Sequence, residues 1–180
     1  MTIGKHNLNT KPVWYLGNNV SIENVESLDI LGVSFDTNGT SSIHINNIIS
    51  KCRKSFFGLS DAGMSYPGAD ASIKKHLWTT ICRPTLLYGM ECVELSKTTL
   101  SRLETVQGNH LKQSLGLSKT ARTSYLLDSL NIPRIQSVLS KKCATFYHSI
   151  FKCDTPAAEL DCSVARNRIC IPLTPKIPRF

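Results

Sequence analysis

The chain has 180 residues and a mass of 20.0 kDa, which is the size of about one domain. Its 21 lysines and arginines exceed its 13 aspartates and glutamates, so the formal net charge is +8 and the natural partner is a polyanion. No apolar run approaches the roughly 20 residues that a bilayer-spanning helix needs, and residues 1–10 lack the apolar segment of a secretory signal. These features argue against a membrane protein and indicate an intracellular one, in the cytoplasm or nucleus.

Basic residues are unevenly distributed along the chain. Residues 1–50 hold two lysines and four acidic residues, whereas residues 51–90 hold six basic and two acidic residues. The site for a polyanion is therefore expected after residue 50. For any single lysine, keeping an exposed helix face soluble is the commoner role.

The seven cysteines form an odd-numbered set without a C-x-x-C pair. Neither a disulfide framework nor a zinc ribbon has this pattern, which indicates a reducing compartment. His148 and Cys153 have a spacing found in zinc knuckles, but the second close pair of ligands is missing, so no metal site is expected. Most of the cysteines are expected to be buried small apolar residues.

The first segment, residues 1–38, has the pattern of short strands. Two β-prone runs, Val13 to Leu16 and Val20 to Ile22, flank a Gly-Asn-Asn turn. A third apolar run extends from Leu28 to Phe35 and is interrupted by Gly32. The pattern predicts a small antiparallel meander of two or three strands.

From Ser42 onwards the apolar period changes to that of a helix, and residues 39–152 are predicted to be mainly helical. Thr40 or Ser41 is expected to cap the first helix, whose apolar stripe is Ile45, Ile48, Ile49, Cys52 and Phe56. Asp70 is expected to cap the second helix, which Pro84 should end or kink. The predicted apolar face of that helix is Ile73, Leu77, Trp78 and Ile81.

Three more helices are predicted in the second half of the chain. Ser96 or Thr98 should cap the first of them, and Gly116 should end it; its inward residues are Leu100, Leu103, Val106, Leu111 and Leu115. A short helix around 124–130, which Asn131 and Pro133 should end, is followed by a long amphipathic helix over 135–151. Residues 153–180 are rich in proline and are predicted to be a loop or disordered tail, so the expected fold class is α+β.

A search for catalytic motifs is mostly negative. The sequence has no phosphate-binding glycine loop, no G-x-S-x-G elbow, no H-E-x-x-H and no two adjacent acidic residues. Its five histidines are scattered, so each is expected to be a surface or boundary residue rather than a catalytic base. A Cys and His site assembled in space stays open as an alternative.

Several separated blocks resemble one known family in their order and spacing. Early blocks coincide with the predicted strands, and a longer one begins near the end of the predicted second helix. These blocks are Tyr15-Leu16-Gly17, Ile22-Glu23-Asn24-Val25, Ile30-Leu31-Gly32-Val33-Ser34-Phe35 and Ile81-Cys82-Arg83-Pro84-Thr85-Leu86-Leu87-Tyr88-Gly89-Met90-Glu91-Cys92. Later blocks continue the order: Leu103-Glu104-Thr105-Val106-Gln107, Leu115-Gly116-Leu117-Ser118 and Leu130-Asn131-Ile132-Pro133. Over residues 1–151 the chain resembles the post-palm part, the thumb and beyond, of reverse transcriptases from non-long-terminal-repeat (LINE-type) retrotransposons.

The resemblance implies an RNA-directed DNA polymerase as the parent enzyme, but the family's aromatic-x-Asp-Asp catalytic motif is absent. We therefore expect a truncated fragment that is not an enzyme on its own. No cofactor is expected, since Mg²⁺ would belong to the missing palm active site. In the parent, the meander would resemble the primer grip and the helices would resemble the thumb that holds the duplex.

The expected function is sequence-independent binding of RNA, DNA or an RNA–DNA hybrid through phosphate contacts. The candidate residues are basic side chains on predicted helices and in the loop after Gly116: Lys51, Arg53, Lys54, Lys74, Lys75, Lys119 and Arg122. Aromatic residues on the apolar stripes are expected to pack in the core rather than to stack on bases; they are Phe56, Phe57, Trp78, Phe146 and Tyr147. The alternative function is a small helical protein-interaction module without nucleic-acid activity, and the oligomeric state is open.

Overall fold

The computed structural model describes residues 14–16, 20–22, 25–37, 42–93 and 95–152. The fold class is α+β, as predicted, because short antiparallel strands precede a mainly helical body. The strands are β1 (Trp14–Leu16), β2 (Val20–Ile22), β3 (Ser27–Ile30) and β4 (Val33–Asp36). The α-helices are α1 (Ser42–Leu59), α2 (Ala71–Leu77), α3 (Arg83–Leu86), α4 (Lys97–Ser114), α5 (Thr123–Ser129) and α6 (Ile135–Lys152).

The described strands form two separate hairpins. β1 pairs with β2, as the Gly-Asn-Asn turn predicts, and β3 pairs with β4 from Ser27↔Asp36 to Ile30↔Val33. The run from Leu28 to Phe35 is therefore two strands, not a single interrupted one. Leu31 and Gly32 both have positive φ, at 49° and 79°, as a two-residue hairpin turn with right-handed strand twist requires.

The β3–β4 hairpin is attached to the helical body through β4. The Ser34 amide donates a hydrogen bond to His44 Nδ1 (3.3 Å), and Asn47 Nδ2 donates to Ser34 Oγ (3.2 Å). On the turn side, Tyr88 Oη donates to the Leu31 carbonyl (2.7 Å). β3 itself is exposed along its length, so the hairpin contacts the body through one strand and its turn.

Helix α1 has the predicted stripe on its buried face. Ile48, Cys52 and Phe56 are almost completely buried, and they form one hydrophobic core with residues of all the later α-helices. This core explains why a helix with an apolar residue every three or four positions is stable in water. The caps predicted for α1, Thr40 and Ser41, lie outside the described residues.

The predicted inner face of the second helix is wrong at two positions. Ile73 and Ile81 are 54% and 40% exposed, whereas the buried row is Lys74, Trp78, Cys82 and Leu86, at intervals of four. In a regular α-helix, a row at this spacing rotates around the axis by about 40° per step. A π-helical segment, Trp78–Cys82, lies between α2 and α3, and its wider turns keep the row on the core side.

The π segment also explains why Pro84 does not end the helix. Pro84 lies in the first turn of α3, immediately after the widened segment, and the helix continues to Leu86. Proline has no amide hydrogen to donate to the preceding turn and its ring needs space there. The distortion expected from the sequence is therefore a local widening.

Two α-helices end as predicted. At the end of α4, Gly116 has φ 68°, its amide donates to the Gln113 carbonyl, and the Leu117 amide donates to the Lys112 carbonyl. Asn131 ends α5 in the same way with φ 49°. Both ends are Schellman motifs, in which the left-handed residue satisfies the last helix carbonyls.

Helix α6 lies where its amphipathic pattern predicts. Ile135 and Leu139 are buried, and Lys142 connects the helix to a 3-10 turn, Met90–Cys92, through an ion pair with Glu91 (3.6 Å). The predicted tail, residues 153–180, lies outside the described residues. Within the described part of the chain, no helix combines the length and hydropathy needed to span a membrane.

Removing the cap of α4 is expected to weaken the fold measurably. Ser96 Oγ accepts a hydrogen bond from the Thr99 amide (3.1 Å), which otherwise has no partner in the first helical turn. We expect Ser96→Ala to lower the free energy of unfolding by about 1 kcal/mol. Urea denaturation measures the loss of stability. Ser96→Asp is the matched control, because aspartate caps a helix as well as serine does. Equal losses of stability in both variants would contradict a capping role for Ser96.

Candidate nucleic-acid interface

An open groove of about 400 Å³ lies between α1 and α4. The α1 side presents Asn46, Ser50 and Arg53, which recur at intervals of three or four and therefore share one helix face. The α4 side presents Ser101, Arg102 and Asn109 among its lining residues. Each wall thus contributes one guanidinium and one amide to the same concave surface, together with one hydroxyl from α1 and two, of Ser101 and Thr105, from α4.

The groove is positively charged because Arg53 and Arg102 line it and none of its lining residues in the described part of the chain is acidic. Arg102 Nη2 donates to Asn46 Oδ1 (2.8 Å), which bridges the two helices and orients the guanidinium. Arg53 is exposed, and neither arginine has a carboxylate partner among the described residues. An anion in the groove therefore meets two cations that no internal acid neutralises.

A second cleft lies on the adjacent side of α4. Ser101 and Thr105 line both this cleft and the groove, so the two concavities are neighbours on the surface of α4. The second cleft also holds the carboxylate of Glu104 and the guanidinium of Arg134, with Leu127 at its apolar side. Its charge is balanced, in contrast to the groove.

Of the three predicted binding residues on α1, the structure places only Arg53 in the groove. Lys51 and Lys54 are exposed on the same helix. Because each residue turns the helix by about 100°, Lys54 lies about 100° and Lys51 about 160° around the axis from Arg53. The three basic residues are therefore spread over the solvent face and do not form one cluster.

Lys74 is not available to bind phosphate, which corrects the prediction for this residue. It is 5% exposed, and its Nζ donates to the Ser114 carbonyl (2.9 Å) at the end of α4. That end carries the negative pole of the helix dipole and unpaired carbonyls, which is where a buried ammonium is best accommodated. Its neighbour Lys75 is half-buried.

Lys119 and Arg122 lie in the loop between α4 and α5, and both are exposed. The Lys119 carbonyl accepts a hydrogen bond from Lys112 Nζ (3.1 Å), which ties the loop to α4. The guanidinium of Arg122 lies 5.8 Å from the centre of the exposed Tyr125 ring, within range of a cation–π contact. These two candidates remain accessible for phosphate contacts.

Sequence reasoning missed Arg102 and the two asparagines of the groove. A signal for them exists, because Ser101, Thr105 and Asn109 recur every four residues as an acid-free polar row beside the apolar stripe of α4. The row alone does not show which helix packs beside it. Only the packing of α4 on α1 turns two polar rows into a groove.

The expectation that the aromatic residues lie in the core is wrong for one of them. Phe57 is 50% exposed and meets the buried Phe56 ring edge to face, with centroids 5.7 Å apart. It follows Arg53 by four residues, so it extends the groove-facing row of α1. Phe56 and Trp78 are fully buried as expected, Phe146 is half-buried, and the side chain of Tyr147 is outside the described set.

The structure also brings a cysteine and a histidine together in the core, as the enzyme alternative requires. Cys52 Sγ lies 3.9 Å from His110 Nδ1, and the His110 ring stacks on Phe56 at 4.2 Å. A hydrogen bond to Cys82 and burial raise the pKa of the Cys52 thiol, while burial and the nearby Arg53 charge lower the pKa of His110 to about 4. A neutral thiol without solvent access is not a nucleophile, so this pair does not form a catalytic dyad.

Histidine burial differs from the sequence expectation at two positions, since both His44 and His110 are interior residues. Among the described residues, no group of three or more His, Cys, Asp or Glu side chains is arranged to hold a metal ion.

Comparison with known proteins found no family model, curated sequence or solved structure that matches the chain.

Proposed function

We propose that the chain corresponds to the thumb and adjoining region of a LINE-type reverse transcriptase and binds nucleic-acid backbones without sequence preference. The family assignment rests on the ordered sequence blocks between Tyr15 and Pro133. The proposed binding rests on one observation: Arg53 and Arg102 line the same groove between α1 and α4, and none of the described residues that line it is acidic.

The chemistry of the groove suits a sugar–phosphate strand. A guanidinium binds two phosphate oxygens at once, which a lysine ammonium does not. Hydroxyl and amide groups beside the arginines, such as Ser50 and Asn109, add hydrogen bonds to phosphate or sugar oxygens. Since phosphate and sugar are the same at every nucleotide, this recognition does not depend on base sequence.

Two further features support the same function. Lys119 and Arg122 provide exposed positive charge on the loop after α4. Phe57, at the end of the groove-facing row of α1, provides an exposed aromatic face on which a base can stack. No polymerase activity is proposed for the chain itself, because phosphoryl transfer by two metal ions needs converging carboxylates and the sequence lacks the aromatic-x-Asp-Asp motif that supplies them in the family it resembles.

The proposal is tested by a salt titration of binding to duplex DNA and to an RNA–DNA hybrid. We expect log K to fall linearly with log salt for unrelated sequences, with a slope of about 0.9 per phosphate neutralised on B-form DNA. Arg53→Gln and Arg102→Gln should each reduce the slope by about one such unit. Each should also weaken binding about tenfold at low salt, as the loss of a charge-assisted hydrogen bond predicts.

Lys141→Gln is the control, because it removes one exposed positive charge from α6, outside the groove. Equal effects of all three variants would show that net charge, and not the groove, determines binding. Absence of binding at low salt would contradict the proposed function. Binding of a protein partner that is insensitive to salt would favour the alternative interaction module.

A further inference from the structure

The cleft beside the groove has a composition that phosphate binding does not explain. Its volume is about 280 Å³, at the small end of ligand sites. It combines Glu104 with Arg134, and a carboxylate repels a phosphate. The chemistry that complements these two side chains is a group that is both a hydrogen-bond donor and an acceptor.

Glu104 and Arg134 line the same cleft without pairing with each other or with another described residue. Their separation leaves the carboxylate free to accept and the guanidinium free to donate. Glu104 is half-buried, and Leu127, which is 5% exposed, contributes a small apolar patch to the floor of the cleft. Hydroxyl groups of Thr123 and Ser124 complete a polar rim.

Among the nucleobases, guanine fits this arrangement best. Its N1–H and N2–H groups point the same way and can both donate to one carboxylate, while O6 and N7 accept the two hydrogen bonds of an arginine. Adenine has no N1–H, and uracil offers one N–H group. In a Watson–Crick duplex, N1–H and N2–H are already paired, so only an unpaired guanine has both edges free.

The two lining residues that the cleft shares with the groove indicate how such a base would arrive. Ser101 and Thr105 line both concavities, on one face of α4. A strand whose phosphates lie against Arg53 and Arg102 can therefore turn a base across α4 into the cleft.

We propose that the cleft formed by Glu104, Arg134 and Leu127 binds one unpaired guanine of a nucleic-acid strand whose backbone lies in the α1–α4 groove. This inference rests on the proposed function and adds a base preference to it. Glu104 is the specificity-determining residue, and Arg134 supports it from the other edge of the base.

The test compares oligouridylates that carry one central guanine, inosine, adenine or uracil, with binding followed by fluorescence anisotropy. We expect the guanine oligomer to bind about tenfold more tightly than the adenine and uracil oligomers, which corresponds to one good bidentate contact. Inosine lacks the N2 amino group and should give an intermediate affinity. Glu104→Gln should make the guanine-to-adenine affinity ratio approach one.

Asp128→Asn is the matched control for charge, because Asp128 is an exposed carboxylate on α5 that does not line the cleft. It should preserve the guanine preference, whereas both variants should raise general affinity slightly. Equal binding of all four oligomers by the wild-type chain would overturn the guanine site and leave backbone binding intact. A preference that survives in Glu104→Gln would also overturn it, and failure to bind any oligomer would refute the proposed function together with this inference.

Discussion

Gly89→Ala is expected to destabilise the protein by about 3 kcal/mol, as the sum of a backbone cost and a packing cost. Gly89 has φ 67°, a left-handed conformation that costs about 1–2 kcal/mol for alanine. A Cβ at this position would lie 2.7 Å from Val33 Cγ2 and 3.1 Å from His44 Nε2. Both neighbours are buried, so neither can move away freely.

The surroundings of Gly89 explain why this contact is important. The Ser34 amide donates to His44 Nδ1, so Nε2 carries the hydrogen and donates to the Tyr88 carbonyl (3.1 Å). His44 thus links the hairpin, α1 and the turn at Gly89. Displacing its ring would weaken both hydrogen bonds at once.

Gly116→Ala separates the two costs of the Gly89 substitution. Gly116 has φ 68°, but a Cβ there would have no atom within 4 Å. It should therefore show only the backbone cost of about 1–2 kcal/mol. Urea denaturation of both variants measures the difference in their free energies of unfolding. Val33→Ala in the Gly89→Ala background should recover part of the stability lost to the packing cost. Equal destabilisation by the two glycine substitutions would contradict the packing argument.

The positions of most described α-helices could be predicted because their cause is local. The apolar period of α1 and α6, the Ser96 cap and the Gly116 and Asn131 ends each depend on a few neighbouring residues. The buried face of the second helix could not be predicted from neighbouring residues, because it depends on the π-helical segment Trp78–Cys82. A change of helical pitch moves the buried row without changing the hydrophobicity of any residue.

The candidate site was less predictable than the fold, for a related reason. Net charge indicated a polyanion partner, but it did not distinguish Lys74, whose ammonium binds a helix end, from Arg53, which lines a groove. Arg102 became a candidate only when α4 was found beside α1. Which charges converge depends on packing between helices that are distant in sequence.

The stability of the protein is expected to fall by about 3 kcal/mol between pH 7.5 and pH 4 because of one buried histidine. His110 is 6% exposed, and burial lowers its pKa from 6.5 to about 4. Between these two values the unfolded chain binds a proton that the folded chain does not bind. Protonation therefore favours the unfolded state as the pH falls, and the stabilisation is fully present only above pH 6.5.

Comparison of two matched variants isolates this contribution from the carboxylates that also titrate in acid. In the wild-type protein, the Phe56 ring stacks on His110 with the ring centroids 4.2 Å apart. His110→Phe keeps an aromatic ring at this position, but the phenylalanine ring cannot bind a proton. Between pH 7.5 and pH 4, we expect the free energy of unfolding of His110→Phe to fall by about 3 kcal/mol less than that of the wild type. His76→Phe, at an exposed position of α2, is the matched control for introducing a phenylalanine. Equal pH dependence of unfolding in His110→Phe and in the wild type would contradict the prediction.

The same histidine also reports on the groove, since the Arg53 charge contributes to its lowered pKa. In Arg53→Gln, the repulsion between the guanidinium and the protonated ring is lost, so the pKa of His110 should rise above about 4 while burial still holds it below 6.5. An NMR titration of the His110 ring protons measures both values. A wild-type midpoint near 6.5 would show that the ring is hydrated. It would also contradict the packing of His110 against Phe56 and Cys52.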